Sequence, residues 1–271
     1  MSVSALTFSF VSDLVRRESA IQLNPGKEYL VESRLLPLAR AAGLQGEGAV
    51  DQYVQRVRTD RAALTGVVEA LTTNETSWFR DNSPFAVLRK ALLPEIRLRN
   101  SGELRIWSGA CSTGQEPYSI AMSLLEEGET DFSVLASDLS RAVLTIAKDA
   151  SYGQLEMNRG MPAGMLVRYF TRAGARWRLA DNVRGRVSFR QHNLLNGVPL
   201  GGPFDVVFLR NVLIYFDAAT KQRILSAIAR AMRPGGYLIL GAAETVYGAE
   251  HLWDRMPGSR GSQYQLRGGV K

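Results

Sequence analysis

A chain of 271 residues, 45% hydrophobic and 22% charged, has the balance of a soluble globular protein, long enough for one large or two modest domains. No apolar run approaches the roughly 18 residues of a membrane span, and the opening MSVSALTFSFVSDLVRRES lacks the basic n-region of a signal peptide. A single cysteine, Cys111, excludes an internal disulfide and suits a reducing cytoplasm, while His192 and His251 alone leave little for a zinc cluster.

Residues 5–70 read as helices only. Phe8, Val11, Leu14 and Val15 are spaced for one amphipathic helix. Residues 29–42 predict a second helix that carries Arg34 and Arg40, with a kink or break at Pro37. Residues 43–48 form a turn, and 50–57 and 64–71 complete a small helical domain over residues 1–71. The stretch LTTNETSWFRD, residues 71–81, follows. It reads either as a linker whose polar residues cap the next helix, near Pro84, or as a loop folded over a ligand with Arg80 reaching inward.

The most informative stretch is RIWSGACSTGQEPYSIAM, residues 105–122. A buried strand over 104–108 runs into the small residues Gly109, Ala110, Cys111, Ser112, Thr113 and Gly114, and a helix starts at Glu116 with Pro117 in its first turn. Strand, slim turn and helix N-terminus together let a ligand approach the backbone closely, or simply let the elements pack tightly. A second strand, 132–140, ends in Asp138, which is placed to take a ribose hydroxyl or to cap the helix at 141–150.

Alternation then breaks. Residues 151–192 hold 8 Arg against Glu156 and Asp181, whereas residues 1–70 hold 8 basic and 8 acidic side chains, so nearly the whole net charge of +7 sits in one stretch. Glycines and Pro162 interrupt it, and 170–178 and 186–190 look like strands of a small antiparallel insertion. Such a patch suits nucleic acid, an anionic membrane or an acidic protein, or is a solvated face. The core resumes at 187–192 with Asn193 and Leu194 beyond it. FDVVFLRNVLIYFD then gives a strand at 205–209 with Arg210 and Asn211 at its C-terminal end and Tyr215 just after. A helix through Ile224, Leu225, Ile228 and Met232 closes at Pro234, Gly235 and Gly236, and 237–240 is a further strand. This order predicts a doubly wound α/β sheet.

Five stretches, LTTNETSWFRD, WSGACSTGQEPYSIAM, ASDLS, HNLL and FLRNVLIYFD, stand in an order and spacing that resembles the CheR family of chemotaxis receptor methyltransferases, and the resemblance covers nearly all of the chain. It implies a Rossmann-like, S-adenosylmethionine-dependent methyltransferase domain over 72–271, with a small antiparallel β-subdomain inserted at 151–192 and a small all-α domain in front. It also implies methyl transfer to receptor glutamates, leaving S-adenosylhomocysteine. By the same resemblance Asn74, Thr76 and Arg80 match a cofactor-contacting loop. Gly109 belongs to the cofactor turn, Glu116 and Asp138 match acidic cofactor ligands, and Asn193 and Leu194 match adenine-side contacts. Leu209, Arg210 and Asn211 match the strand end beside the cofactor, and Arg80 and Tyr215 match the pair next to the transferred methyl. Expected partners are methyl-accepting receptors, through their cytoplasmic helical bundle or a C-terminal peptide held by the β-subdomain. No nucleic acid, metal or membrane insertion is expected, and the protein is expected to be a cytoplasmic monomer.

Near-absence of histidine agrees with this chemistry, because a glutamate carboxylate is already a nucleophile at neutral pH. Two other classes share features. A nucleic-acid methyltransferase would suit the basic insertion, but it commonly carries an aromatic–Pro signature where FLRN stands. Intact Arg80, Asp138 and Tyr215 argue against a cofactor-binding sensor without catalysis. A dinucleotide dehydrogenase is disfavoured because no G-x-G-x-x-G follows the first strand.

Overall fold

The structure, a computed structural model, describes residues 3–257 and 262–268. The chain forms two compact units, one holding Met1–Thr73 with Tyr215–Asp217, the other Asn74–Ile214 with Ala218–Lys271.

Four helices make the first unit: α1 (Ala5–Ser19), α2 (Glu28–Ala41), α3 (Ala49–Val57) and α4 (Arg61–Leu71). Their apolar stripes meet in a core that includes Val11, Leu14, Val15, Val31, Leu35, Val54, Val67 and Leu71. Side-chain caps start two of the helices: Ser4 caps α1, and the Asp60 carboxylate takes the amides of Ala62 and Ala63 at 2.9 and 3.1 Å, so that α4 begins three residues before the expected 64. Of the kink or break expected at Pro37, the break does not occur: α2 continues through it from Glu28 to Ala41. One lost main-chain hydrogen bond is outweighed there by Val31, Leu35 and Ala39, buried on either side of it. Arg34 is turned inward along the unit. It donates to the carbonyls of Leu71 and Thr72 at 2.9 and 2.7 Å and to Thr73 Oγ1 at 3.2 Å, satisfying the carbonyl end of α4.

The second unit begins with α5 (Ser83–Val87), a π turn (Leu88–Leu92) and α6 (Leu93–Arg99), then β1 (Leu104–Gly109), α7 (Gln115–Glu126), β2 (Phe132–Asp138) and α8 (Arg141–Asp149). Next come β3 (Ser151–Gly153), α9 (Gln154–Met157), α10 (Ala163–Tyr169), β4 (Phe170–Ala173), β5 (Arg176–Leu179) and α11 (Asp181–Arg184). The chain closes with β6 (Val187–Gln191), β7 (Phe204–Leu209), α12 (Ala218–Ala231), β8 (Met232–Leu240), β9 (Trp253–Arg255) and β10 (Gln263–Leu266).

Seven strands form one sheet in the order β6-β2-β1-β7-β8-β10-β9, and β3-β5-β4 form a separate antiparallel sheet. β6, β2, β1, β7 and β8 run parallel, while β10 and β9 add antiparallel at one edge. The central strands read as continuous apolar runs because both faces are covered, and Ile106, Val134, Val206, Phe208 and Ile239 have no exposed surface.

Three expectations change here. Residues 186–190 are not part of the insertion's sheet; Val187 and its successors pair in parallel with β2 from Val134 onward. Sequence spacing could not separate two neighbouring sheets built from the same β-formers. Pro234, Gly235 and Gly236 do not separate helix from strand either. The register passes from Phe204↔Met232 to Val206↔Tyr237, so this stretch is an irregularity within β8. Finally, β9 and β10, too short to give a periodic signal, extend the sheet beyond the elements expected from sequence.

Burial decides the energetics. Phe208→Ala, at 0% exposure in the middle strand, is expected to cost about 3–5 kcal/mol. Leu98→Ala, at 88% exposure, is expected to stay within about 0.5 kcal/mol of the parent. Urea unfolding of the two variants checks the contrast.

Candidate active site

Chain order runs from β1 outward through β2 to β6, then returns to β7 and β8 on the other side of β1. The direction of winding therefore reverses between β1 and β7, and the crevice at their C-terminal ends is where open α/β sheets take ligands. Gly109, Asp138 and Leu209 are the last residues of β1, β2 and β7.

After β1 the backbone alternates into left-handed geometry, with φ of 57° at Ala110, 50° at Ser112 and 94° at Gly114. Such a turn tolerates only small side chains at little cost. Gly109 itself is required by packing: a Cβ there would lie 2.9 Å from Leu209 Cδ1. Cys111 is wholly buried, and burial, followed by the charges of Asp138 and Glu116, pushes its thiol well above the ordinary value, so it is no thiolate nucleophile.

Asp138 binds the edges of the crevice together. One carboxylate oxygen accepts from Ser112 N at 2.8 Å and the other from Ser140 N at 3.0 Å. Its carbonyl accepts from His192 N at 2.9 Å, which brings Asn193 and Leu194 to the same end of the sheet. Asn193 Oδ1 in turn accepts from Leu195 N at 3.0 Å, and Leu194 is buried.

Glu116 lies in the first turn of α7 and is held from two sides. Ser108 Oγ donates to one oxygen at 2.8 Å and Arg210 Nη1 to the other at 2.9 Å. Only 1% of the Arg210 side chain is exposed, and its second arm reaches Asp81 Oδ2 at 2.6 Å and the carbonyl of Arg80 at 3.0 Å.

Residues 74–82 thus form a loop latched to the sheet rather than a free linker. Ser112 Oγ donates to the Asn74 carbonyl at 2.7 Å, and Phe79 N donates to Ser119 Oγ at 3.1 Å. Trp78 is gripped by the insertion: its N–H donates to the Arg159 carbonyl at 3.0 Å, and its ring meets Tyr152 and Phe170 edge-on. Phe79, Asp81 and Asn82 all have positive φ, of 45°, 68° and 50°, so the backbone around Arg80 is strained. Thr76 is half-buried, and Arg80 Nη1 donates to the Glu75 carbonyl at 3.3 Å.

The structure therefore gathers Asn74, Arg80, Gly109, Glu116, Asp138, Leu209 and Arg210 around one crevice, with Asn193 and Leu194 at its β2 side. Asn211 follows with φ of 58°. Tyr215 is half-buried and belongs to the first unit. Sequence reading passed over Asp81 and Ser112, both inside the motifs it quoted, and Glu244, for which no motif gave a signal.

Half of the basic insertion is neutralised internally. Arg159, Arg168 and Arg184 pair with Glu75, Glu126 and Asp181 at 3.0, 2.6 and 2.8 Å, and Arg176 lies 4.0 Å from Glu156. No helix among the described residues is long and apolar enough to cross a membrane, and no cluster of metal-ligating side chains occurs among them.

A doubly wound sheet with a slim turn, an acid closing the second strand and a latched loop defines an α/β enzyme that holds a nucleoside-type cofactor at the switch point. Residues 74–261 match the CheR methyltransferase, SAM binding domain, and residues 6–72 the CheR methyltransferase, all-alpha domain. The chain belongs to the CheR methyltransferase family, whose methyl donor is S-adenosylmethionine. It is 42% identical to chemotaxis protein methyltransferase 1 of Pseudomonas aeruginosa over 98% of this chain and 100% of that protein. Chemotaxis protein methyltransferase Cher2 of Pseudomonas putida is 41% identical, with 98% of this chain and 100% of that protein covered. The chemotaxis protein methyltransferase of Vibrio parahaemolyticus is 37% identical, with 98% and 99% covered.

Two outcomes follow from the geometry. Arg210→Lys is expected to lower stability by about 1–3 kcal/mol in thermal or urea unfolding, since one ammonium cannot reproduce a fork that serves Glu116, Asp81 and the Arg80 carbonyl. The second concerns Tyr169, which donates to Glu126 at 2.7 Å. That bond, with Arg168 adding to it, holds Glu126 below the ordinary carboxylate value, and burial followed by Glu126 pushes Tyr169 up to about 12. A depressed carboxylate stabilises above its unfolded value and loses that contribution as pH falls through its folded one. The stability difference between the parent and Glu126→Gln is therefore expected to be full at neutral pH and to close on acidification below about pH 4, as read by urea titrations across pH.

Proposed function

We propose that this protein methylates glutamate side chains of chemotaxis receptors, with Arg80 and Tyr215 serving the reacting carboxylate. The observation that carries the reading is the latch of residues 74–82 over the β1–α7 turn, made by Ser112, Arg210 and Asp81 at the switch point of the sheet. When bound, S-adenosylmethionine supplies a methyl group on a sulfonium; a glutamate oxygen takes the methyl carbon as the carbon–sulfur bond breaks, giving a methyl ester and S-adenosylhomocysteine.

The residues at the crevice fit such a cofactor. A carboxylate has about four acceptor sites, so Asp138 can hold Ser112 N and Ser140 N and still take ribose hydroxyls. Asn193 and Leu194 serve the adenine side. Asn74, Thr76 and the Gly109 turn on one side, and Glu116, Leu209, Arg210 and Asn211 on the other, would hold the rest of the cofactor, whose sulfonium would supply the methyl group. Glu116 is already engaged by Ser108 and Arg210, so it acts on the cofactor as part of that network.

In-line displacement needs the reacting atoms about 3–3.5 Å apart and aligned. Arg80 orients the incoming carboxylate without clamping it, because a tight ion pair would blunt the nucleophile. The Tyr215 hydroxyl donates to the same group and fixes its angle. No general base is required. Residues 1–71 and the insertion at 151–192 are the parts left for receptor docking, and the protein acts in the cytoplasm on the receptors' helical bundle.

Transfer of labelled methyl from S-adenosylmethionine to receptor-containing membranes, followed by mild base, tests the reaction. Label on a receptor-sized band that leaves as volatile methanol is expected; label that resists base would mean another acceptor and sink the assignment. Arg80→Lys and Tyr215→Phe are each expected to lower kcat by roughly tenfold or more, and full turnover in both would remove their roles.

A further inference from the structure

Beyond β7 the chain turns sharply through Asn211, at φ 58°, into the 3-10 turn Leu213–Tyr215. Three amides of this turn converge on one carboxylate. Asn211 N donates to Glu244 Oε2 at 2.8 Å, and Val212 N and Ile214 N donate to Oε1 at 2.9 and 3.3 Å. A fourth, Gly241 N, closes on Oε2 at 2.7 Å from the end of β8. Glu244 is 3% exposed, and no Lys or Arg among the described residues pairs with it.

A buried carboxylate is costly unless hydrogen bonds surround it. Here main-chain N–H groups do so, in the manner of an anion nest whose anion is a side chain of the same protein. The neighbouring backbone is shaped for it. A Cβ at Gly241 would lie 2.6 Å from Glu244 Oε2 and 2.9 Å from Asn211 N, so position 241 must be bare for the carboxylate to reach the turn. A glutamine would fill the same volume but would aim an NH2 group at N–H donors.

The last amide in this ring belongs to Ile214, immediately before Tyr215. We propose that Glu244 is a positioning residue for methyl transfer: as an internal anion it fixes the turn at 211–214 and thereby the place of the Tyr215 hydroxyl. The proposal rests on the reading of Tyr215 given above. Glu244 touches neither reactant; it acts through the backbone that leads into Tyr215.

The test is a double-mutant cycle in the full chain, Glu244→Gln against Tyr215→Phe, with kcat and KM for receptor-containing membranes and calorimetric binding of S-adenosylmethionine. Glu244→Gln is expected to lower kcat about tenfold while cofactor affinity stays within about threefold, and its effect is expected to shrink to under about threefold in the Tyr215→Phe background. Glu244→Asp, which keeps the charge, is expected to recover part of the rate. Equal losses in both backgrounds, or a fall in cofactor affinity that tracks kcat, would overturn the proposal. Full turnover by Tyr215→Phe alone would sink the reading of Tyr215, and this proposal with it; additive losses with Tyr215→Phe impaired sink this proposal alone. Should Glu244→Gln fail to fold, Gly241→Ala, which displaces the carboxylate from the other side, takes its place in the same cycle with the same two readings.

Discussion

Much of the crevice depends on one buried guanidinium. Arg210, at the end of the β7 strand, ties Glu116 of α7 to Asp81 and to the carbonyl of Arg80. Leaving so buried a guanidinium without its Glu116 partner costs about 3–5 kcal/mol. Good geometry is what makes it tolerable: two arms serve three acceptors, and Phe85 lies 5.9 Å beneath the guanidinium carbon. The backbone of residues 79–82 takes conformations that bulky residues avoid, and the Arg210 contacts oppose its relaxation. Arg80 is thus offered from a loop that neither its own propensities nor solvent would hold in place.

One residue further along, the sign of the buried charge reverses. Asn211 starts the turn that wraps the Glu244 carboxylate, so the end of β7 is set by a cation on one side and an anion on the other. They work differently. Arg210 gathers two side chains and a carbonyl from two segments and is sensitive to the shape of its fork, whereas the partners of Glu244 among the described residues are backbone amides, so it is sensitive to charge.

Much of this was legible in the sequence. The slim turn at 109–114 could be read because left-handed backbone admits few side chains, whereas Asp138 left a ribose contact and a helix cap both open. In the structure its two oxygens hold main-chain amides, so the cap-like reading and the site reading are compatible. Arg210 was legible as a site residue but not as a pin, because its partners lie 94 and 129 positions away. Glu244 was illegible for a related reason: a carboxylate that binds only backbone N–H groups imposes no side-chain pattern. The edge strands β9 and β10 were too short to show a period, and Pro37 does not break its helix because tertiary packing overrides its local preference.

The insertion shows how a composition signal changes meaning once folded. Its eight arginines suggested an acidic partner, yet Arg159, Arg168 and Arg184 are already bonded to acids of this chain, two of them outside the insertion. Of those bonds Arg159–Glu75 reaches the latched loop, and together with Trp78 held between Tyr152 and Phe170 and Tyr152 OH donating to the Thr113 carbonyl at 2.9 Å it ties the insertion to that loop and to the slim turn. Gly160 shows how close the approach is, since a Cβ there would collide with the Trp78 carbonyl. Part of the positive charge is thus spent on holding the active-site loop, and a docking partner for this face must be recognised by the arginines that remain, by the backbone edges of the small sheet, or by exposed apolar side chains such as Leu155 and Val167. A ligand seated there would press on the same Tyr152 and Phe170 that hold Trp78, two residues before Arg80.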